Sequence, residues 1–315
     1  MIEIFKTLEN GSLITLDKIE RNCWVAMTNP TRQELAQISS ECHVEEDVLK
    51  AALDAEERAR IEVEEDYTLI LIDAPAIEKE QVDKEEKNRY ITMPLAIINL
   101  ADIIITVSLN DSQVLLPIKS GKLKGFYTYK KTRFILQIFY RVATMFLQYL
   151  RAINRQSEII EDKLHVSQKN KELIELLELE KSLVYFTTSL RSNEMVFEKM
   201  LRNERVKRYQ DDEDLLEDVI IENKQAMEMA NIYSGILSGT MDAFASVISN
   251  NQNSAMKFLA TVTIVMSIPT IIASFYGMNV PLPGRNNPYS LFLVLGATVL
   301  ITGIVVLIFR KKDLF

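Results

Sequence analysis

Tyr276-Gly277-Met278-Asn279 stands between the two long apolar runs of this 315-residue chain, and the rest of the sequence reads outward from it. Upstream, no charged residue occurs between Lys257 and Arg285, and Phe258 to Tyr276 is the apolar heart of that run. Downstream, Arg285 to Arg310 is again free of charge, and Tyr289 to Phe309 is almost wholly apolar. A helix needs about 20 apolar residues to cross a hydrocarbon core about 30 Å thick, and both runs reach that length. Lipid offers the backbone no hydrogen bonds, so both are expected to be helices. The alternative is a buried hairpin of a large globular domain. Two uncharged runs of this length, side by side, are hard to bury in a water-soluble protein.

Basic residues set the expected orientation. Lys257 precedes the first run, Arg310, Lys311 and Lys312 follow the second, and the loop from Val280 to Pro288 holds only Arg285. The positive-inside rule places both termini in the cytoplasm, the loop outside, and the chain in the cell membrane as a multi-pass protein. Met1-Ile2-Glu3-Ile4 lacks the basic-then-apolar pattern of a leader.

The formal net charge of −8 divides unevenly: the chain from Lys257 onward carries +4, and the first 256 residues carry −12. An acidic body argues against nucleic acid as a partner, because phosphate binding needs a basic face. It is compatible with cations as ligands, although solubility alone is the more common reason for an acidic surface. Cys23, Cys42, His43 and His165 are the only cysteines and histidines. Cys42-His43 is at most a fragment of a soft metal site, because the second ligand pair is missing. No phosphate-cradling glycine string is present.

Taken in order, the first 110 residues read as mixed α/β. Strands are expected at Ile2–Phe5, Ser12–Thr15, Cys23–Met27, Leu69–Ile72, Ile91–Ile98 and Ile103–Val107. Thr31 with Glu34 three residues on forms a capping-box start, and Val44–Leu53 is a second helical patch. Glu56–Glu62 reads as an exposed charged segment, and Glu78–Asn88 as a loop or hairpin tip. After Asp111 helical spacing takes over, at Thr132–Glu161 and at Asn170–Leu190, with a break expected at the polar joint Arg191-Ser192-Asn193. From about Asp212 to Tyr276 one helix is expected, roughly 95 Å long at 1.5 Å per residue. The expected divisions are 1–125 (α/β), 126–211 (helical), 212–257 (stalk), 258–279 (first span), 280–288 (external loop), 289–309 (second span) and 310–315 (basic tail).

The long helix carries a polar seam. Heptad steps back from Gly277 reach Thr270, Thr263, Met256, Ser249 and Asp242, and the intermediate seam is Ser274, Ser267, Ala260, Asn253 and Ser246. An ordinary coiled-coil seam would be Leu, Ile or Val. Small residues in membrane helices usually serve close packing. The competing reading is a water-filled pore lined by one such face from each of several identical chains, and Asp242 and Asn253 favour it. Pro269 removes a backbone hydrogen bond within the run.

Tyr276-Gly277-Met278-Asn279 before a short loop, two C-terminal spans and a basic tail resembles the CorA family of magnesium channels and transporters. Trp24 to Thr31, Ala51-Ala52-Leu53-Asp54, Arg60-Ile61-Glu62 and Tyr90-Ile91-Thr92-Met93-Pro94-Leu95 resemble it too, so the likeness covers essentially the whole chain. The resemblance implies a funnel-shaped homopentamer. Its cytosolic α+β domains are α/β/α sandwiches, its stalk helix lines the pore as the first span, and the second span forms an outer ring. It implies Gly277, Met278 and Asn279 as the selectivity filter, with Gly277 and Asn279 facing the ion. Asn253, Met256 and Leu259 then line the cytoplasmic pore, joined by Asp242, Ser246, Ser249, Thr263, Ser267, Thr270 and Ser274. Asp218 matches an acidic residue that binds regulatory Mg2+ between neighbouring domains, with Asp83, Glu85 and Glu86 as candidates for its partner. Mg2+ is thus implied as both cargo and regulator, and the implied partners are the chain's own copies, the bilayer and divalent cations. The sequence departs from the family in its acid-free loop and in Ser267, where some relatives have Met. Rival readings keep the fold and move Co2+, Ni2+ or Zn2+, or make the chain a non-conducting membrane-anchored sensor. A membrane-bound enzyme has no His/Cys/Ser constellation to support it.

Overall fold

In a computed structural model the chain is described except for residues 83–84, 124, 168–169, 203–209, 279–288 and 313–315, and except for the side chains of 80–82, 85–87, 165–167, 170, 210 and 290. It divides into two compact units, Met1–Met241 and Asp242–Phe315.

The first unit is built on a seven-stranded sheet: β1 (Ile2–Thr7), β2 (Leu13–Leu16), β3 (Cys23–Thr28), β4 (Arg60–Val63), β5 (Tyr67–Val82), β6 (Glu85–Leu100) and β7 (Ile103–Ser108). Their order is β2-β1-β3-β7-β6-β5-β4, antiparallel throughout except for the β3–β7 pair. Strand alternation sorts the side chains. Cys23, Val25, Met27, Leu69, Leu71, Ala96 and Ile98 share one core cluster with Leu35, Ile38, Val48 and Leu49. Those last four lie on α1 (Arg32–Cys42) and α2 (Glu46–Lys50). The other face carries Trp24, wholly buried between Phe5 and Phe134 at ring-centroid distances of 5.1 and 5.2 Å. Its indole N–H donates to Thr106 Oγ1 at 2.9 Å, which satisfies the one polar atom of the buried ring. After the short α3 (Leu116–Lys119), Phe134 opens that second helical layer, made by α4 (Lys131–Ser167) and α5 (Asn170–Leu201). The layers are helix, sheet, helix, and each expected strand lies within an observed one except Ser12–Thr15, which is shifted by one residue from β2.

Several local expectations change. The capping box holds: Glu34 N–H donates to Thr31 Oγ1, and Thr31 N–H to Glu34 at 2.7 Å. Cys42 lies in the core, where burial pushes its thiol up to about 11, and His43 is a left-handed helix cap at φ 55°. A buried, protonated thiol is a poor metal ligand. The charged stretch ending at Glu62 supplies the sheet edge β4, where Ile61 points inward and Arg60 is held between Glu57 and Glu62. Charged side chains on an edge strand discourage further pairing. For Glu78–Asn88 the hairpin half of the expectation holds. The β5–β6 ladder runs to the Val82↔Glu85 pair, with Glu78 opposite Arg89. Opposite charges across a strand pair stabilise an otherwise polar ribbon.

The expected break at Arg191-Ser192-Asn193 is absent, and α5 runs through it. Asn193 is wholly buried, and its amide is spent elsewhere: Asp73 N–H donates to its Oδ1 and its Nδ2 donates to Asp73 O, both at 2.8 Å. A polar triplet looked like a joint because these side chains compete with the backbone when they point along the helix. This one points into the sheet.

The chain continues as α6 (Gln210–Tyr276), one 67-residue helix, and α7 (Ser290–Lys311). Both are long and apolar enough to cross a membrane. Gly235 and Gly239 leave α6 unbroken. In the second unit most of the described apolar side chains are exposed, among them Phe258, Ile271, Phe292 and Val299, so this hairpin is not the inside of a globular domain.

Candidate ion pathway

The seam begins from how the hairpin covers itself. On the apolar part of α6 the residues with reduced exposure are Thr261, Val265, Ile268, Pro269 and Ile272, with Ser267 half-buried beside them, and on α7 they include Val294, Thr298, Thr302, Val305 and Phe309. Both sets fall at helical spacing, so each helix turns one stripe inward. At about 100° per residue, Thr263, Thr270, Ser274 and Gly277 lie roughly half a turn from the α6 stripe. The polar face therefore looks away from the hairpin's own contact. Thr263, Ser267, Thr270 and Ser274 line one open groove of about 740 Å3, together with Met266, Met278 and flanking apolar residues.

The hydroxyls along this face are turned onto their own helix. Ser246 donates to Asp242 O at 3.0 Å, Thr263 to Leu259 O at 2.8 Å, Ser267 to Ile264 O at 2.8 Å and Thr270 to Met266 O at 3.1 Å. Each proton is thereby used, and each oxygen keeps lone pairs to accept hydrogen bonds. The result is a row of acceptors. Below the groove, Asp242, Ser249, Asn253, Met256 and Leu259 are exposed on α6 as well, whereas Ser267 is half-buried. Heptad counting missed Met266 and did not separate Thr261, which is buried on the opposite stripe. Exposure marks Met266 as groove-lining; its sequence neighbours Ile264, Val265 and Ile268 gave no such signal.

At the end of α6 the helical bonds persist: Gly277 N–H donates to Ala273 O at 2.9 Å and Met278 N–H to Phe275 O at 3.3 Å. A Cβ at position 277 would stand 3.3 Å from Ala273 O and 3.5 Å from Ser274 O. Glycine is favoured here by close approach to the preceding turn. Asn279 and the loop 280–288 lie outside the described residues. Asp218 is exposed on the first-unit part of α6. Asp83 and the side chains of Glu85 and Glu86 lie outside the description. Among the described residues no three His, Cys, Asp or Glu side chains gather closely enough to hold a metal within one chain.

A bare apolar hairpin with an acceptor row on its outer face is what the sequence comparison explains. The profile of the CorA-like Mg2+ transporter proteins matches residues 20–311. The chain belongs to the CorA-like Mg2+ transporter family. The CorA likeness runs from end to end: the cobalt/magnesium transport protein CorA of Methanocaldococcus jannaschii is 28% identical over 99% of each chain. The magnesium transport protein CorA of Campylobacter jejuni is 24% identical over 92% of this chain and 90% of its own. The complete structure of the CorA magnesium transporter from Methanocaldococcus jannaschii superposes with a TM-score of 0.83 at 26% identity, covering 99% of this chain and 98% of that one. CorA transporters are membrane proteins, so the hairpin of α6 and α7 has lipid to cover it.

Proposed function

We propose that this protein is a homopentameric channel that takes up hydrated Mg2+ down its electrochemical gradient, selects it at Gly277-Met278-Asn279, and closes when cytosolic Mg2+ is high. The observation that carries this reading is the acceptor-lined face of α6, turned away from the hairpin's own contact. Five such faces around an axis make a water-filled path, with the cytosolic units gathered as a funnel and α7 as an outer ring. Mg2+ sheds its first-shell waters reluctantly. A path of hydroxyl and amide oxygens accepts hydrogen bonds from those waters and leaves the shell intact. Asn279 supplies one amide oxygen per subunit at the mouth, and the Gly277 carbonyl joins it. Met278 packs the turn, because a thioether is a poor ligand for a hard cation. The membrane potential supplies about 4.6 kcal/mol per 100 mV for a divalent ion. Both termini lie in the cytoplasm in this arrangement.

Co2+ is the second cargo to consider, because the archaeal relative is named for cobalt as well as magnesium and exposed thioethers of Met256, Met266 and Met278 lie along the path. Flux into proteoliposomes decides both points. The wild type is expected to carry Mg2+, with Co2+ as a competitor. Asn279→Ala is expected to lose selective uptake, and wild-type flux in that variant would remove Asn279 from the mouth.

A further inference from the structure

A second site lies in the first unit, far along the chain from the filter. A groove of about 320 Å3 runs along the outer face of α4. Its floor is Arg133, Gln137, Arg141, Thr144 and Met145, residues spaced so that one helix face presents them all. Leu123 and Phe126 form one wall and Leu215, in the second turn of α6, contributes to the other.

The wall is fixed before any ligand arrives. Thr7 and Thr128 exchange hydrogen bonds, each backbone N–H donating to the other's Oγ1 at 3.1 Å. Phe126 meets Phe134 edge to face at 5.6 Å. Gly125, at φ 87°, adopts the left-handed backbone and offers its carbonyl to Gln137 Nε2 at 3.2 Å. A preformed groove of this size falls at the small end of ligand pockets, roughly 300 to 1,000 Å3.

Its polar groups are unevenly satisfied. Arg133 is paired with the buried carboxylate of Asp212 at 3.4 Å. Arg141 donates Nε–H to Val114 O at 3.0 Å, and among the described residues no carboxylate pairs with its guanidinium. Burial alone pulls its pKa below the usual arginine value, the mark of a cation short of compensation. Gln137 Oε1 is buried and has no hydrogen-bond partner among the described residues. An unpaired half-buried cation lining a groove costs stability unless something supplies the missing charge.

We propose that this groove binds a small organic anion. Its single carboxylate or phosphate lies on the Arg141 fork, and an apolar or aromatic body rests on Leu123, Phe126 and Met145. The planar guanidinium suits either head group, since both accept two parallel N–H bonds. Among the described lining residues the net charge on offer is one, because Asp212 already neutralises Arg133.

Isothermal titration of the full chain in detergent tests this with benzoate and AMP as carboxylate and phosphate probes. Benzamide and adenosine serve as their neutral counterparts, and inorganic phosphate as an anion without a body. At least one of the two organic anions is expected to bind with Kd below about 1 mM, and its neutral counterpart at least about tenfold more weakly. Arg141→Gln is expected to weaken the bound anion at least about tenfold. Thr144→Trp, which fills the groove from an outward position of α4, is expected to do the same with the Arg141 charge intact. Two results overturn the site: neither anion binding below about 1 mM, or neutral probes binding as tightly as charged ones. Phosphate binding as well as AMP, unaffected by Thr144→Trp, also overturns it, because that describes an exposed charge without a groove. Should Arg141→Gln fail to give a wild-type melting transition, Thr144→Trp decides alone.

Discussion

Asn193 does for β5 what a further strand would do. At the Arg60↔Leu71 pair β4 reaches its end, yet β5 continues past it. Asp73, two residues on, again presents N–H and C=O on the β4 side, where the Asn193 amide takes both. The same parity explains the prolines. Asp73 faces Pro94 and Pro75 faces Thr92, positions where the backbone groups point away from the partner strand, so the missing proline N–H breaks no β5–β6 bond. Asn193→Ala strands one donor and one acceptor in the interior. It is expected to destabilise the first unit by about 2 to 4 kcal/mol, since each orphaned group costs about 1 to 3 kcal/mol before relaxation. Urea unfolding followed by the fluorescence of Trp24, the single tryptophan, measures it. An unchanged midpoint would show that water replaces the clamp at no cost.

At the scale of elements, legibility followed periodicity. The β3 run Cys-Trp-Val-Ala-Met and the β7 run Ile-Ile-Ile-Thr-Val announce buried strands, and the two uncharged runs announce spans. The seam on α6 showed through its heptad of small and polar residues. What stayed hidden was set by tertiary partners. The wall of Gln137 and Gly125 joins residues 12 apart, and the clamp of Asn193 and Asp73 joins residues 120 apart. No local pattern encodes such pairs. Likewise the exposed look of Glu56–Glu62 concealed an edge strand in which only Ile61 turns inward. The seam itself can be tested as an element. Thr270→Val keeps the shape of the side chain and removes its lone acceptor. If the face lines water, flux is expected to fall about tenfold, the worth of roughly 1.4 kcal/mol of lost hydrogen bonding summed around the path. If the face merely packs helices in lipid, a valine is tolerated and flux is unchanged. Extraction and melting of the variant distinguish a lost pathway from a lost fold.

At the scale of the whole molecule, charge and continuity meet in α6. The first 256 residues carry −12, and in the proposed pentamer five such bodies repel one another around one axis. Mg2+ between neighbouring bodies reduces that repulsion, and its loss returns it, so an internal cation can bias the equilibrium between packed and loosened arrangements. Asp218 is the residue proposed for this role: it is exposed, and it lies on the same helix, α6, as Thr263, Thr270 and Ser274. A change in how bodies meet at Asp218 therefore acts on the same element that carries the seam. Asp218→Ala removes the carboxylate that internal Mg2+ is proposed to bridge. The variant is expected to conduct as well as the wild type at low internal Mg2+, and to require about tenfold more internal Mg2+ for half-closure, the loss of roughly 1.4 kcal/mol of differential binding. Proteoliposomes loaded with graded internal Mg2+ read this directly. An unaltered inhibition curve removes Asp218 from regulation and leaves the seam as it stands. A variant that loses flux at every internal concentration would instead place Asp218 in the assembly of the pathway rather than in its control.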